Sequence, residues 1–364
     1  MSMKTKLLCA LVLAVFLGTT ISVAADLEGV KIGTGTLKMG GIYQAQLYLT
    51  NWDNNIQSPM YGSAKYTTFR SYRARFLFWG VIVPDKVKYF VQLEMVNSPA
   101  FLDYKMMLLN YIPKTTVTVG RFLPYWTLYM HKVVSDLELI YYPIVNTNFA
   151  MWRQPGIQTE TVIDPVKIYV GCFNGADIPN NTTDNNNAKD LMFRLDVMPK
   201  LENMKLLVGG EFWMGRRYID ASHNKSTTMF GGFASLDMNK FKFRGEYLMR
   251  TLTEGYLAPG DVELSDWKSS GFYAMVGYTA LDWLEVLGRY DNYDPNTAND
   301  ALDGTDEDGN SAITLGANFM IHKYNAVIAL NLVMNSEQYK ILDNTGDEVD
   351  LKNDEAIVQF QIAF

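Results

Sequence analysis

The chain has 364 residues, 13% of them aromatic with tyrosine the commonest of the three, and a formal charge of −7 from 39 acidic and 32 basic side chains. That acidic balance excludes nucleic acid as a partner, because affinity for a phosphate backbone is built from Lys and Arg. The two cysteines, Cys9 and Cys172, lie far apart, and the first falls in a leader-like stretch. Stability therefore has to come from something other than a disulfide.

The first element is that leader. Lys4 and Lys6 precede an apolar run from Leu7 to Leu17, and the stretch closes on Ser22-Val23-Ala24-Ala25 before Asp26. This is the layout of a secretory signal peptide over residues 1–25, and its apolar run is too short to span a bilayer as a helix. Residues 26–364 then read as one domain. Charged and amide residues interrupt every later apolar run before it reaches the ~18 residues of a transmembrane helix.

From Leu37 onward the dominant pattern is alternation, the period of a β-strand. Tyr72, Ala74, Phe76 and Phe78 alternate with Arg73, Arg75 and Leu77. Val87, Tyr89, Val91, Leu93 and Met95 alternate with Lys88, Phe90, Gln92 and Glu94. Past the middle of the chain, Phe241, Phe243, Tyr247 and Met249 alternate with Lys242, Arg244, Glu246 and Arg250. Leu284, Val286 and Tyr290 follow, against Glu285, Arg289 and Asp291. The last segment sets Ala356, Val358, Phe360, Ile362 and Phe364 against Gln359 and Gln361. Unpaired charges on the second face rule out a sandwich core.

The spacing of the turns points to closure. Short connections at residues 83–86, 112–114, 164–165, 199–203, 239–240 and 321–323 alternate with long ones at 178–190, 253–267, 295–310 and 336–354. Short turns at one end and long loops at the other describe an all-β, closed antiparallel transmembrane barrel of about 16 strands, each of ~9–11 residues or slightly more. Its lipid face would carry Phe76, Val91, Leu93, Phe243, Val286, Ile313, Leu315, Ile328, Leu330 and Phe360. Its lumen would carry Arg73, Arg75, Arg194, Arg217, Arg244 and Arg289 against Glu94, Asp196, Glu211, Glu246, Glu285 and Asp291, charges that nearly cancel. The acidic loops at 294–308 and 343–354 would then give a weak cation preference, fading with salt.

One segment fits neither strand nor solvent-exposed loop. Residues 122–153 hold Tyr125, Trp126, Tyr129, Tyr141 and Tyr142 among many aliphatics, too apolar to stand in water, and a loop of this length is uncommon without a purpose. As the third long outer loop it is expected to fold into the lumen. There His131, Lys132, Asp136, Glu138 and Arg153 would form a constriction.

Val119-Gly120-Arg121-Phe122-Leu123-Pro124-Tyr125 resembles the strand-to-loop signature of the phosphate-selective porin O and P family. Arg73-Ala74-Arg75 is similar to that family's early arginine-bearing strand, and Arg153-Gln154-Pro155-Gly156-Ile157 to the loop's return into the barrel. Phe173-Asn174-Gly175 resembles one of its strand ends. The resemblance covers roughly the first half of the mature chain. It implies an outer-membrane porin through which ions and small hydrophilic solutes diffuse, a homotrimer seated in outer-membrane lipid and lipopolysaccharide. Leu123 stands where a polar or basic residue is often found, and no dense lysine ladder is visible, so phosphate specificity does not carry over. The terminal Phe364, with Phe360 on its face, resembles the signal read by the outer-membrane assembly machinery.

Nothing in the chain reads as an enzyme, a metal site or a cofactor site. His131, His223 and His322 fall in loops and turns with no serine partner at a telling spacing. Residues 303–310 lack the ligand pattern of a calcium loop. The alternative to a channel is a structural or adhesive barrel whose lumen is closed.

Overall fold

The computed structural model describes residues 29–50, 67–96, 99–175, 184, 187–220, 223–256, 265–297, 309–338, 341–342, 348–349 and 353–364. The signal peptide expected at 1–25 lies outside these residues, as does most of the acidic sequence expected in the long loops.

Sixteen long antiparallel strands form a single closed wall. They are β1 (Gly35–Thr50), β2 (Thr67–Val83), β3 (Val87–Glu94), β4 (Ala100–Ile112), β5 (Thr115–Phe122), β6 (Gln154–Ile163), β7 (Val166–Phe173) and β8 (Asp190–Val197). The second half continues with β9 (Met204–Asp220), β10 (His223–Met238), β11 (Phe241–Tyr256), β12 (Ser265–Leu281), β13 (Leu284–Asp294), β14 (Asn310–His322), β15 (Ala326–Glu337) and β16 (Glu355–Ala363). Each pairs with its sequence neighbours, and β1 pairs with β16 through Gln44↔Gln361 and Gln46↔Gln359, which closes the barrel. Closure matters physically, because an open edge in lipid would leave backbone groups unpaired. Two short strands, Val30–Ile32 and Lys200–Leu201, join the same sheet at one rim.

That rim carries the tight turns. Asp85, Lys114, Asn203, Asn239 and Lys323 each take a positive φ there, between 48° and 61°. Two-residue hairpins need left-handed residues, and Asn and Asp reach that region most readily among residues with a Cβ. Several strands run longer than the length expected from the sequence. β2, β9 and β12 have 17 residues each, against the ~9–11 that cross a bilayer, so the wall rises well past the apolar zone. The extension shortens the connection expected at 253–267, since β11 runs to Tyr256 and β12 starts at Ser265. It also moves His223 out of its expected loop and into the first position of β10.

The two faces separate as the alternation requires. Phe76, Phe243, Val286, Ile313 and Leu315 are exposed on the outside. Ile328, Leu330 and Phe360 share that outer parity but are not all open: Ile328 and Val358 are buried in a cluster with Leu47, Phe319, Leu330 and Phe360. Inside, the wall meets the segment between β5 and β6, and the largest buried apolar cluster of the molecule lies at that contact.

Candidate functional site

The segment 123–153 leaves β5 after Gly120, whose φ of +137° suits only glycine, and rejoins the wall at Gln154. It contains a single turn of 3-10 helix, Val134–Asp136, and a short helix, α1 (Ile144–Asn148). Most of its backbone groups therefore have no partner within the segment, and buried away from water each needs one. The inner wall supplies them. The amide of Thr127 donates to Glu211 Oε2 at 2.9 Å and that of Leu128 to Glu246 Oε1 at 2.8 Å. The amide of Ile140 donates to Asn331 Oδ1 at 2.8 Å and that of Ile144 to Asp291 Oδ1 at 3.1 Å.

Carbonyls are met by cations and amides. Arg194 Nη1 donates to Thr127 O at 2.6 Å, while its Nε pairs with Asp196 Oδ1 at 2.7 Å. Arg289 Nη1 donates to Tyr141 O at 2.8 Å, with its Nε on Asp291 Oδ2 at 2.6 Å. Asn318 Nδ2 donates to Glu138 O and Gln361 Nε2 to Ser135 O, at 2.8 and 2.9 Å. Each arginine thus has a carboxylate beside it, which offsets the cost of burying the charge.

Apolar packing fills the rest of this contact. Trp126 meets Trp213 edge-on at 5.9 Å, Tyr129 meets Tyr273 at 5.8 Å, and Phe149 meets Tyr293 at 6.0 Å. Trp126 Nε1 donates to Phe149 O at 2.9 Å, tying the two ends of the segment together. The approach is close enough to need glycine on the wall: a Cβ at Gly316 would stand 2.3 Å from Leu139 Cδ2.

The structure sorts the residues singled out in the sequence into two groups. Arg194, Glu211, Arg244, Glu246 and Arg289 have inward parity, yet all are buried and committed to holding the segment. Glu138 joins them as an anchor, because its carboxylate turns to the wall and pairs with Arg244 Nε at 3.2 Å. The second group stands across the lumen. Arg75 pairs with Glu94 at 2.8 Å, Arg153 with Asp103 at 2.9 Å, and Arg73 donates to Gln44 Oε1 at 2.8 Å. From the segment itself, His131 and Lys132 are half-buried and Asp136 is exposed. His131 Nδ1 sits 3.1 Å from Thr127 O, and its ring lies 4.9 Å from that of Tyr125.

Two inward groups escaped the sequence reading. Alternation carried back from Arg73 puts Arg70 outside and Tyr72 with it. A bulge between β1 and β2 inserts one residue at this point, so both turn inward. Arg70 Nε then donates to Gln46 Oε1 at 2.9 Å and Nη2 to Tyr141 OH at 2.7 Å, with Cζ 4.2 Å from the Tyr48 ring centre. The second group is a pair of glutamine contacts along the closing seam, Gln44 to Gln361 at 2.6 Å and Gln46 to Gln359 at 2.8 Å. Gln359 and Gln361 were legible as one face of the last strand, but their partners lie more than 300 positions away.

Comparison with known proteins agrees with this architecture. Residues 211–364 match the family model described as phosphate-selective porin O and P. The match falls on the second half of the chain, whereas the motifs quoted above for the resemblance lie in the first. No curated protein matches the sequence. Among solved structures, the outer membrane channel DcaP of Acinetobacter baumannii is similar with a TM-score of 0.67 at 10% identity, over 93% of this chain and 100% of that one. An anion-selective porin from Comamonas acidovorans gives 0.65 at 14% identity, over 91% and 100%. OmpT of Vibrio cholerae, in a trimer form, gives 0.60 at 10% identity, over 91% and 100%. These likenesses establish the fold of an outer-membrane porin, and the second half of the chain carries the family's sequence pattern.

Proposed function

We propose that the protein is an outer-membrane channel for the passive diffusion of ions and small hydrophilic solutes, with the segment 123–153 setting its narrow part. One observation carries this: a closed wall of sixteen strands turns apolar side chains outward and charged or amide side chains inward. A barrel of ~16 strands is wide enough to hold water as well as side chains. The narrow part would lie between the segment's free face, with His131, Lys132 and Asp136, and the opposite wall, with Arg73, Arg75–Glu94 and Asp103, which pairs with Arg153 at the segment's end. A homotrimer in outer-membrane lipid and lipopolysaccharide suits the fold, and Phe364 at the end of β16 suits recognition by the assembly machinery. The fold points to a channel rather than an enzyme.

Purified protein in planar bilayers should give discrete current steps. A second reading, a sealed structural barrel, draws support from how tightly the segment packs, with Trp126, Leu128, Val145 and Phe149 all buried against the wall. A folded, inserted barrel that gave no current at any salt concentration would favour that reading and remove the channel.

A further inference from the structure

We propose that the lumen contains a binding subsite for an uncharged, polyhydroxylated solute of monosaccharide size, on the side of the segment away from the short turns. The inference rests on the channel reading and adds a ligand class to it. A cavity of about 290 Å³ lies there, walled by the segment on one side and by β2, β13, β14, β15 and β16 on the other. That volume is at the lower end of the ~300–1,000 Å³ of ordinary ligand pockets, the size for a small solute rather than a peptide or lipid.

Its walls combine aromatic faces with neutral hydrogen-bonding groups. Tyr72, Tyr141 and Tyr142 contribute rings, the first two 5.8 Å apart and edge-on. Arg289 holds Tyr142 through its carbonyl, which leaves the ring to the cavity. A tyrosine offers an apolar face and a polar tip, and a sugar ring offers C–H faces and hydroxyl edges to match. Asn331 is the sharpest feature. It is 1% exposed and lines the cavity; its Oδ1 accepts from Ile140, but its Nδ2 has no partner. A buried donor without an acceptor is costly; Nδ2 lies beside Gly316 and is closed to a molecule the size of water, so a solute hydroxyl satisfies it once the amide turns toward the cavity.

The charges around the cavity argue against an ion as the ligand. Arg289 and Asp291 neutralise each other at 2.6 Å, and both also hold the segment's backbone. Glu355 accepts from the Tyr48 hydroxyl at 2.6 Å and has the Arg70 guanidinium near it, so its charge is balanced as well. A neutral solute that both donates and accepts hydrogen bonds satisfies this lining without a counter-ion.

The test is calorimetry of the full-length protein in detergent, titrated with D-glucose, together with single-channel recording in the same sugar. The expected result is a saturable heat with half-saturation of about 1–10 mM and a matching partial block of the current. Tyr142→Ala should weaken binding about tenfold. Asn331→Asp keeps an acceptor for Ile140 and replaces the free donor by a carboxylate oxygen, so it should weaken binding; unchanged heat-shifted gel mobility shows that the barrel tolerates the added charge. Glucose heat that never saturates overturns the subsite, as does equal binding by both variants. So does a current block reproduced by a polyethylene glycol of glucose size. Saturable heat without any current would instead refute the channel and leave the subsite standing.

Discussion

Glu246 lets the grip of the wall on the segment be measured. Its two oxygens accept from the Leu128 amide at 2.8 Å and from Asn146 Nδ2 at 2.6 Å, and Asn146 is fully buried. Glu246→Leu removes both acceptors and leaves two donors orphaned inside protein, at ~1–3 kcal/mol each, so about 2–6 kcal/mol against the docked segment. Glu246→Gln is the control, because it keeps an acceptor oxygen at the same position. With tenfold per 1.4 kcal/mol, Glu246→Leu should raise the undocked population by about 30-fold or more, and Glu246→Gln far less. The assay is the open-channel noise and unitary conductance of each variant in bilayers. The barrel's ladder is untouched, so heat-shifted mobility on gels should confirm folding in all three proteins. Equal noise and conductance in wild type and Glu246→Leu would refute the claim that these hydrogen bonds hold the segment.

Four further outcomes are expected. Leu315 is exposed on the outer face, and Leu315→Arg should destabilise the barrel by about 2–4 kcal/mol if the residue lies near the bilayer midplane, read from urea unfolding in lipid. Deleting Phe364 should lower the amount of protein in the outer membrane, because its backbone bonds with Gly41 extend the closing seam; unchanged surface levels would dismiss a role in assembly. Arg70→Gln with Arg73→Gln should move the reversal potential toward cations, most clearly near 0.1 M salt where the Debye length is ~10 Å. Excising residues 133–142 should raise unitary conductance, and no change would place the narrow part elsewhere.

The fold was legible because its main rule is local. A period of two, repeated between turns of alternating length, is imposed on every strand by lipid on one side and water or polar protein on the other. Features that depend on one inserted residue were not legible. The bulge beside Tyr72 reverses the parity of Arg70, and nothing in Arg70-Ser71-Tyr72-Arg73 announces it. Side-chain partners were also beyond reach, since Glu138 and Arg244 are 106 positions apart and both read equally well as lumen charges. The segment's apolar composition did mark it as something that must be buried. Its composition alone left open which wall it would choose.

That choice determines which charges a solute meets. Parity alone assigns Arg194, Arg244 and Arg289 to the lumen on the same terms as Arg73 and Arg75. The segment, however, lies over the wall from β8 to β16 and touches Gln44 of β1 and Arg70 of β2 at its far side, and the three arginines of β8, β11 and β13 are spent on its carbonyls and on neighbouring carboxylates. The acids beside them, Glu211, Glu246 and Asp291, are likewise covered. The near-cancellation of charge read from the sequence thus belongs largely to the anchoring surface, where each of these charges already has a partner. What stays opposite the free face is the β1–β4 wall, where Arg75 and Arg153 have carboxylate partners and Arg70 and Arg73 are instead held by glutamines and tyrosines. A weak cation preference set at the acidic loops and a basic inner wall therefore oppose each other along one path. Salt screens both, but a charge inside a low-dielectric wall is screened less than one at an open mouth. Raising the salt should for that reason shift the balance toward the inner arginines, and the sign of selectivity at high salt reports on Arg70 and Arg73 more than on the loops.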